Sequence, residues 1–293
     1  MHPAPSLILF SVLSGLGFGL MAWLGAGEVQ VGGWIAAGFA AAALVLAGAG
    51  LVASLFHLGQ PRRALKAFSQ WRSSWLSREA AFAVATSASF AIYAALWALL
   101  GLRVAPLGWM VTGLAIATVG ATAMIYAQMR SVPRWRSPLT PALFLVASLA
   151  GGALIAGALP AARVLLATLA LAQLVDWRLG DRRFAAAATT LASATGLGGL
   201  GRLRSFERPH TGANYLTREM VFVIGRRHAD KLRAIGLGLA ALLPLAVMLA
   251  LPVGNVLDGV TLLSHLTGML VLRWLFFAQA EHVVGLYYGE DPI

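Results

Sequence analysis

The sequence predicts an all-α, polytopic membrane protein, a bundle of eight transmembrane helices with both termini cytoplasmic. Three observations carry this reading. The first is composition: of 293 residues, 59% are hydrophobic and 11% charged, and the mean hydropathy is +0.78. A soluble domain carries about 25% charged residues, and no single core hides this much apolar surface from water, so the bilayer is the solvent. The second is periodicity on the scale of a membrane. Eight apolar segments reach or approach the roughly 20 residues that cross the hydrocarbon, near positions 5–26, 34–56, 79–101, 106–130, 139–159, 161–178, 233–254 and 259–283. The third is charge: 19 of the 22 Lys and Arg fall in alternate loops, on one face.

Taken in order, the first span follows "MHPAPS", lacks a basic leader segment and reads as a full crossing rather than a signal peptide. The second contains "AAGFAAAALVLAGAGLVAS", whose small side chains let helices approach closely. Between it and the third span lies "HLGQPRRALKAFSQWRSSWLSRE", residues 57–79, a cationic loop bracketed by His57 and Glu79. Spans four and five are joined by "SVPRWRSP", and five and six by a tight turn at Pro160. Residues 179–232 form a long basic loop in which "NYLTREMVFVIGRRHADKL" reads as an amphipathic surface helix that lies on the membrane or docks a partner. The last two spans close a single integral-membrane domain covering 1–293. Ten-residue alternating segments, the mark of a membrane barrel, do not occur. Because Lys and Arg concentrate in loops that stay inside, the basic face is assigned to the cytoplasm.

Composition also excludes chemistry. The chain has no cysteine, so it supplies no disulfide, thiol nucleophile, thiolate zinc site or thiolate-held iron–sulfur cluster. The net charge of +11 lies between apolar runs, where cations orient helices or meet headgroups and partner proteins, rather than nucleic acid.

Ionisable groups at membrane depth are costly and mark function by default. His57 ends the second span and Glu79 begins the third; a hairpin returns both to the cytoplasmic boundary. An imidazole and a carboxylate beside an apolar cleft suit hydrogen bonding and proton exchange with a quinone headgroup. The structural alternative is an interfacial histidine and a glutamate favoured at a helix N-terminus. Arg273 sits within the eighth span, where it pairs with a buried partner, meets water or serves the same cleft. Tyr126 and Arg130 end the fourth span and line that cleft or an interfacial aromatic belt. Arg62 completes the candidate quinone set. His265 with His57 or His282 could supply opposed imidazoles to a b-type haem, yet no pair shows a diagnostic spacing, and the expectation is no haem. Arg63, Lys66, Arg72, Arg134, Arg136 and Arg208 are the candidate partner-binding cations. No metal site is expected.

The stretches "PSLILFSVLSGLGFG", "LFHLGQPRRALKAF", "SWLSREA" and "SVPRWRSPLTPALFLVASLAGGALI" together resemble the DmsC-type membrane anchor subunits of the dimethyl sulfoxide reductase family of molybdoenzymes. The segment "RPHTGANYLTREM" makes the chain most similar to the SoeC-like anchors of cytoplasmic sulfite dehydrogenases. The resemblance implies a three-subunit complex in the bacterial inner membrane, with a molybdopterin catalytic subunit and a four-cluster iron–sulfur subunit on the cytoplasmic side. It implies quinone exchange near His57 and Glu79, in the direction of quinone reduction coupled to sulfite oxidation. The alternatives are a quinol-oxidising anchor of a dimethyl sulfoxide reductase, a transporter, or a purely structural anchor. No repeat between the halves supports transport.

Overall fold

A computed structural model describes residues 2–187, 189–204, 206–207, 228–251 and 255–288, with only the backbone described at 61, 62, 255, 256 and 288. Among them every regular element is helical, and eight helices are long and apolar enough to span a bilayer. These are α1 (Pro5–Ala26), α2 (Gly33–Leu55), α3 (Trp75–Leu100), α4 (Ala105–Ala127), α5 (Leu139–Ala156), α6 (Leu159–Ala186), α8 (Ala229–Ala250) and α9 (Asn255–Ala278). The short α7 (Leu191–Thr195) lies between α6 and α8, capped by the Thr190 side chain on the Ser193 amide. The eight predicted spans are therefore all present, with shifted ends.

α1 is the innermost helix and packs against α2, α4, α5 and α9. Its glycines explain how one helix meets so many neighbours. A Cβ built on Gly19 would lie 1.9 Å from the Ser148 carbonyl oxygen of α5, and one on Gly152 would lie 2.3 Å from the Gly19 backbone. Only bare backbone fits there, and such contact replaces the hydrophobic drive that lipid does not supply. Trp23 then fixes the depth of α5 by donating its indole N–H to the Leu149 carbonyl at 2.9 Å.

Two ends differ from the sequence expectation for identifiable reasons. α3 begins at Trp75, four residues early, because Arg78 satisfies the carbonyls of the preceding turn. It donates to Trp71 O at 3.0 Å and Arg72 O at 2.6 Å and stacks 4.3 Å over the Trp75 ring. Glu79 is thereby carried into the second turn, buried, instead of marking the helix start. α6 runs on to Ala186, eight residues beyond its apolar stretch, because its charges find partners on neighbouring elements. Arg183, paired within the helix to Asp176, donates to Arg134 O at 3.0 Å and Ser137 Oγ at 2.6 Å, while Asp181 binds Arg134 of the α4–α5 loop and Arg233 of α8. The basic loop 6–7 thus starts after α6 ends, past residue 179.

α8 contains a π turn, Gly238–Leu242, just before Pro244. The Leu243 amide bonds Gly238 O instead of Leu239 O, and Pro244 has no N–H to offer Ala240 O. Two carbonyls are left without their helical donors. α9 supplies both: Ser264 Oγ donates to Leu239 O at 2.8 Å, and His265 Nδ1 bonds Ala240 O at 2.6 Å. Gly268 permits the approach, since a Cβ there would lie 2.1 Å from the Ala240 nitrogen.

Candidate functional site

The polar interior gathers at the basic rim, where α3 begins, α4 ends, α5 begins, and α6 and α9 end. The Glu79 carboxyl is 5% exposed and meets Thr122 of α4: Thr122 Oγ1 lies 2.5 Å from Glu79 Oε1 and 3.1 Å from the Thr118 carbonyl. A hydroxyl has one proton to give. It donates to Glu79 when the carboxylate is ionised. When the carboxyl is protonated, Glu79 donates to Thr122, which turns its own proton to Thr118 O. Both protonation states keep their hydrogen bonds without moving a helix.

One turn further along α4, the buried Tyr126 lies within electrostatic reach of Glu79 on one side and Arg273 on the other. Its ring is enclosed by Trp135, Phe144, Phe276 and Phe277, at centroid distances of 5.2, 5.7, 5.4 and 5.6 Å. Trp135 is itself anchored by its indole N–H on Phe276 O at 2.9 Å. Arg273 is 7% exposed and stacks 3.6 Å over Phe144. Its Nε is buried with no hydrogen-bond partner among the described residues. A ring quadrupole compensates the positive charge in part, but it leaves that N–H donor unused.

Arg273 faces a cleft between α5, α6 and α9 of about 570 Å³, its open mouth included, whose walls combine Trp135, Phe144, Trp177, Gln173 and Asp176. Aromatic plates around a few convergent polar groups are the kind of lining a small-molecule site has.

The remaining sequence candidates are distributed unevenly. His57 lies beyond the end of α2, exposed, and no contact joins it to Glu79 among the described residues. Partial shielding holds its imidazole below the usual histidine value. His265 is buried near the middle of α9, whereas His57 and His282 lie past helix ends. Arg130 is exposed, and only the backbone of Arg62 is described. Arg63, Lys66, Arg72 and Arg136 are exposed, the first three beside the uncovered side chains of Phe56, Leu65 and Trp71. Arg134 is half-buried and holds Asp181. Arg208 and most of the predicted surface helix lie outside the described residues. No group of three or more His, Asp or Glu that could hold a metal occurs among the described residues.

Sequence reasoning passed over Thr122, Gln173, Asp176 and Trp177. Asp176 carried a usable signal, being an acid inside an apolar run. Thr122, one small residue among many, carried none.

Taken together, these features define a polytopic helical membrane subunit whose interior chemistry lies at one rim. The chain belongs to the DMSO reductase anchor subunit (DmsC) family, which matches residues 1–288. It is 33% identical to a sulfite dehydrogenase subunit of Allochromatium vinosum, over 98% of this chain and 99% of that protein. It is also 36% identical to the anaerobic dimethyl sulfoxide reductase chain YnfH of Escherichia coli, over 41% of this chain and 43% of that one. It is thus a membrane anchor subunit of a DMSO reductase-family complex.

Proposed function

We propose that this anchor exchanges electrons between a partner iron–sulfur subunit and the membrane quinone pool, in the direction of quinone reduction coupled to sulfite oxidation. The Glu79–Thr122 pair carries the reading. A buried carboxyl that keeps its hydrogen bonds in both protonation states can release and retake a proton at fixed geometry, which proton-coupled redox chemistry requires. The end-to-end similarity to a sulfite dehydrogenase subunit supports the direction.

The rim residues fit a quinone. Arg273 offers an unused buried donor, and Trp135 and Phe144 offer flat apolar walls. A bound quinone would accept two electrons and two protons. Arg273 would bind and orient its oxygen, Glu79 with Thr122 would hold the proton, and Tyr126 would lie between them in an aromatic shell that excludes water. His57, Arg62 and Arg130, nearer solvent, would pass protons inward from the cytoplasmic surface.

In this reading the molybdopterin and iron–sulfur clusters reside on partner subunits, because the chain has no thiolate ligand to offer. The exposed platform of Arg63, Lys66, Arg72 and Arg136, with Leu65 and Trp71 among the cations, seats the iron–sulfur subunit, and Arg208 extends it. The basic loops face the cytoplasm and the bundle spans the bacterial cytoplasmic membrane.

The decisive experiment is sulfite turnover by the intact complex, with a ubiquinone analogue and separately with a soluble dye acceptor. Wild type should reduce both; Glu79→Gln should keep the dye reaction and lose most of the quinone reaction. Unchanged quinone turnover in Glu79→Gln would remove the site and leave a purely structural anchor. A second reading, quinol oxidation, is favoured by the partial match to a dimethyl sulfoxide reductase chain. Turnover with quinol and sulfoxide but not with sulfite would select it.

A further inference from the structure

The site proposed for electron exchange leaves one buried histidine unused. His265 is fully buried on α9, and its Nδ1 contacts Ala240 O at 2.6 Å. A carbonyl only accepts, so Nδ1 carries the proton and the neutral ring presents Nε2 as a bare acceptor. This tautomer is imposed by the freed carbonyl in front of Pro244. Nε2 has no hydrogen-bond partner among the described residues. It faces Gly151 of α5, where a Cβ would come within 3.0 Å of it.

That nitrogen opens into a void between α1, α5 and α9, lined among others by Ser11, Ser148, Met269 and Arg273. Arg273 stands two turns from His265 on the same face of α9, and its buried Nε–H is likewise without a partner. The void therefore holds one orphan acceptor, one orphan donor and two serines. An orphan left bare forfeits its solvation, and a polar void with room for about one water and two or more partners to offer it is one that water fills. The void and the rim cleft also share Ala147, Met269 and Arg273 as walls. Water reaching Arg273 from the rim thus adjoins the inner chamber.

We infer that the void between α1, α5 and α9 is a water-binding chamber that, with the rim cleft, forms a half-channel from the basic face to the His265 imidazole near the middle of the membrane. The water accepts from Arg273 or the serines and donates to His265 Nε2. The half-channel brings proton-accessible solvent to mid-span, whichever electron carrier the complex uses.

The absence of cysteine in this chain makes the inference directly testable in the intact complex. Ser148→Cys places a thiol on the chamber wall. Thr118→Cys places one, also buried, in the α3–α4 seam beside Thr86. Methyl methanethiosulfonate reacts with the thiolate, which forms only where water can take the proton. Ser148→Cys should therefore be modified roughly tenfold or more faster than Thr118→Cys, read by the mass of this chain. Adding Gly151→Ala, whose methyl pushes the Leu16 side chain aside and crowds Nε2, both walls of the void, should slow that modification. Equal, slow modification of both cysteines would overturn the chamber, as would a Ser148→Cys rate indifferent to Gly151→Ala. If Ser148→Cys does not assemble, Ser11→Cys on the opposite wall gives the same comparison. Neither outcome depends on quinone turnover, so the chamber can fail while the electron-exchange site stands, and the reverse.

Discussion

The seam between α1 and α5 and the seam between α8 and α9 solve one problem in opposite ways. Both bring helices to backbone contact inside a bilayer, where apolar side chains gain little by leaving lipid. At α1–α5 the device is subtraction: Gly19 and Gly152 remove side chains until carbonyl and Cα touch. At α8–α9 a π turn and Pro244 release two carbonyls, and Ser264 and His265 bind them across the gap. The first seam is closed by bare backbone at Gly19 and Gly152, and its polar side chains, Ser11 and Ser148, border the inner void. The second is held by hydrogen bonds and leaves a titratable nitrogen facing a void. Polar groups in this bundle thus gather where backbone regularity is broken and at the basic rim.

Substitutions at four positions would break or sharpen this contrast. The largest effect belongs to Gly19→Leu, whose side chain must occupy the position of Ser148 O. The expected outcome is loss of the assembled subunit, checked by its abundance in membranes. Ala at the same position should already lower stability by about 1–3 kcal/mol, the range for an overpacked core, seen as an earlier thermal transition. Next comes Glu79→Gln, which keeps the shape and a hydrogen bond to Thr122 but cannot release a proton. Quinone-linked turnover should fall on the order of 10²-fold or more, as when a general acid–base group is lost, with folding and dye-linked turnover retained. Thr122→Val is smaller: the carboxyl stays but its switchable partner goes. Loss of a hydrogen bond to a charged group, about 1.5–3 kcal/mol, should change the pH dependence of quinone turnover more than the thermal transition. The smallest is Ser264→Ala, which unties Leu239 O from α9. Interhelical hydrogen bonds in membranes average about 0.6 kcal/mol, so a shift of a degree or two in the thermal midpoint is expected. A larger loss would mean that the α8–α9 seam depends on its hydrogen bonds more than on the Gly268 contact.

The candidate site was legible to unequal depth. Glu79, Tyr126 and Arg273 are ionisable or phenolic groups in apolar surroundings, and their expense in a bilayer makes them conspicuous in the sequence. That Tyr126 lies within electrostatic reach of both others was not, because it depends on how α3, α4 and α9 pack. His57 was conspicuous for the same reason as Glu79, and the hairpin argument joined them. The structure gives Glu79 a different partner, Thr122, since the early start of α3 turns the acid toward α4. Asp176 was visible as an acid in an apolar run. Its role, holding Arg183 on an extended α6, depends on where the α4–α5 loop lies.

The sequence by itself determined the class of fold and the number of helices long and apolar enough to cross. Each follows from transfer free energy summed over about 20 residues, a local quantity that no neighbour can reverse. The tertiary structure alone decided which polar groups meet: the proton-sharing pair on α3 and α4, the aromatic shell around Tyr126, and the carbonyls freed in α8 for α9 to bind. Those depend on helix rotation and depth. In a bundle of nearly uniform hydrophobicity these are set by where glycine lets two backbones touch, and no stretch read alone contains that information.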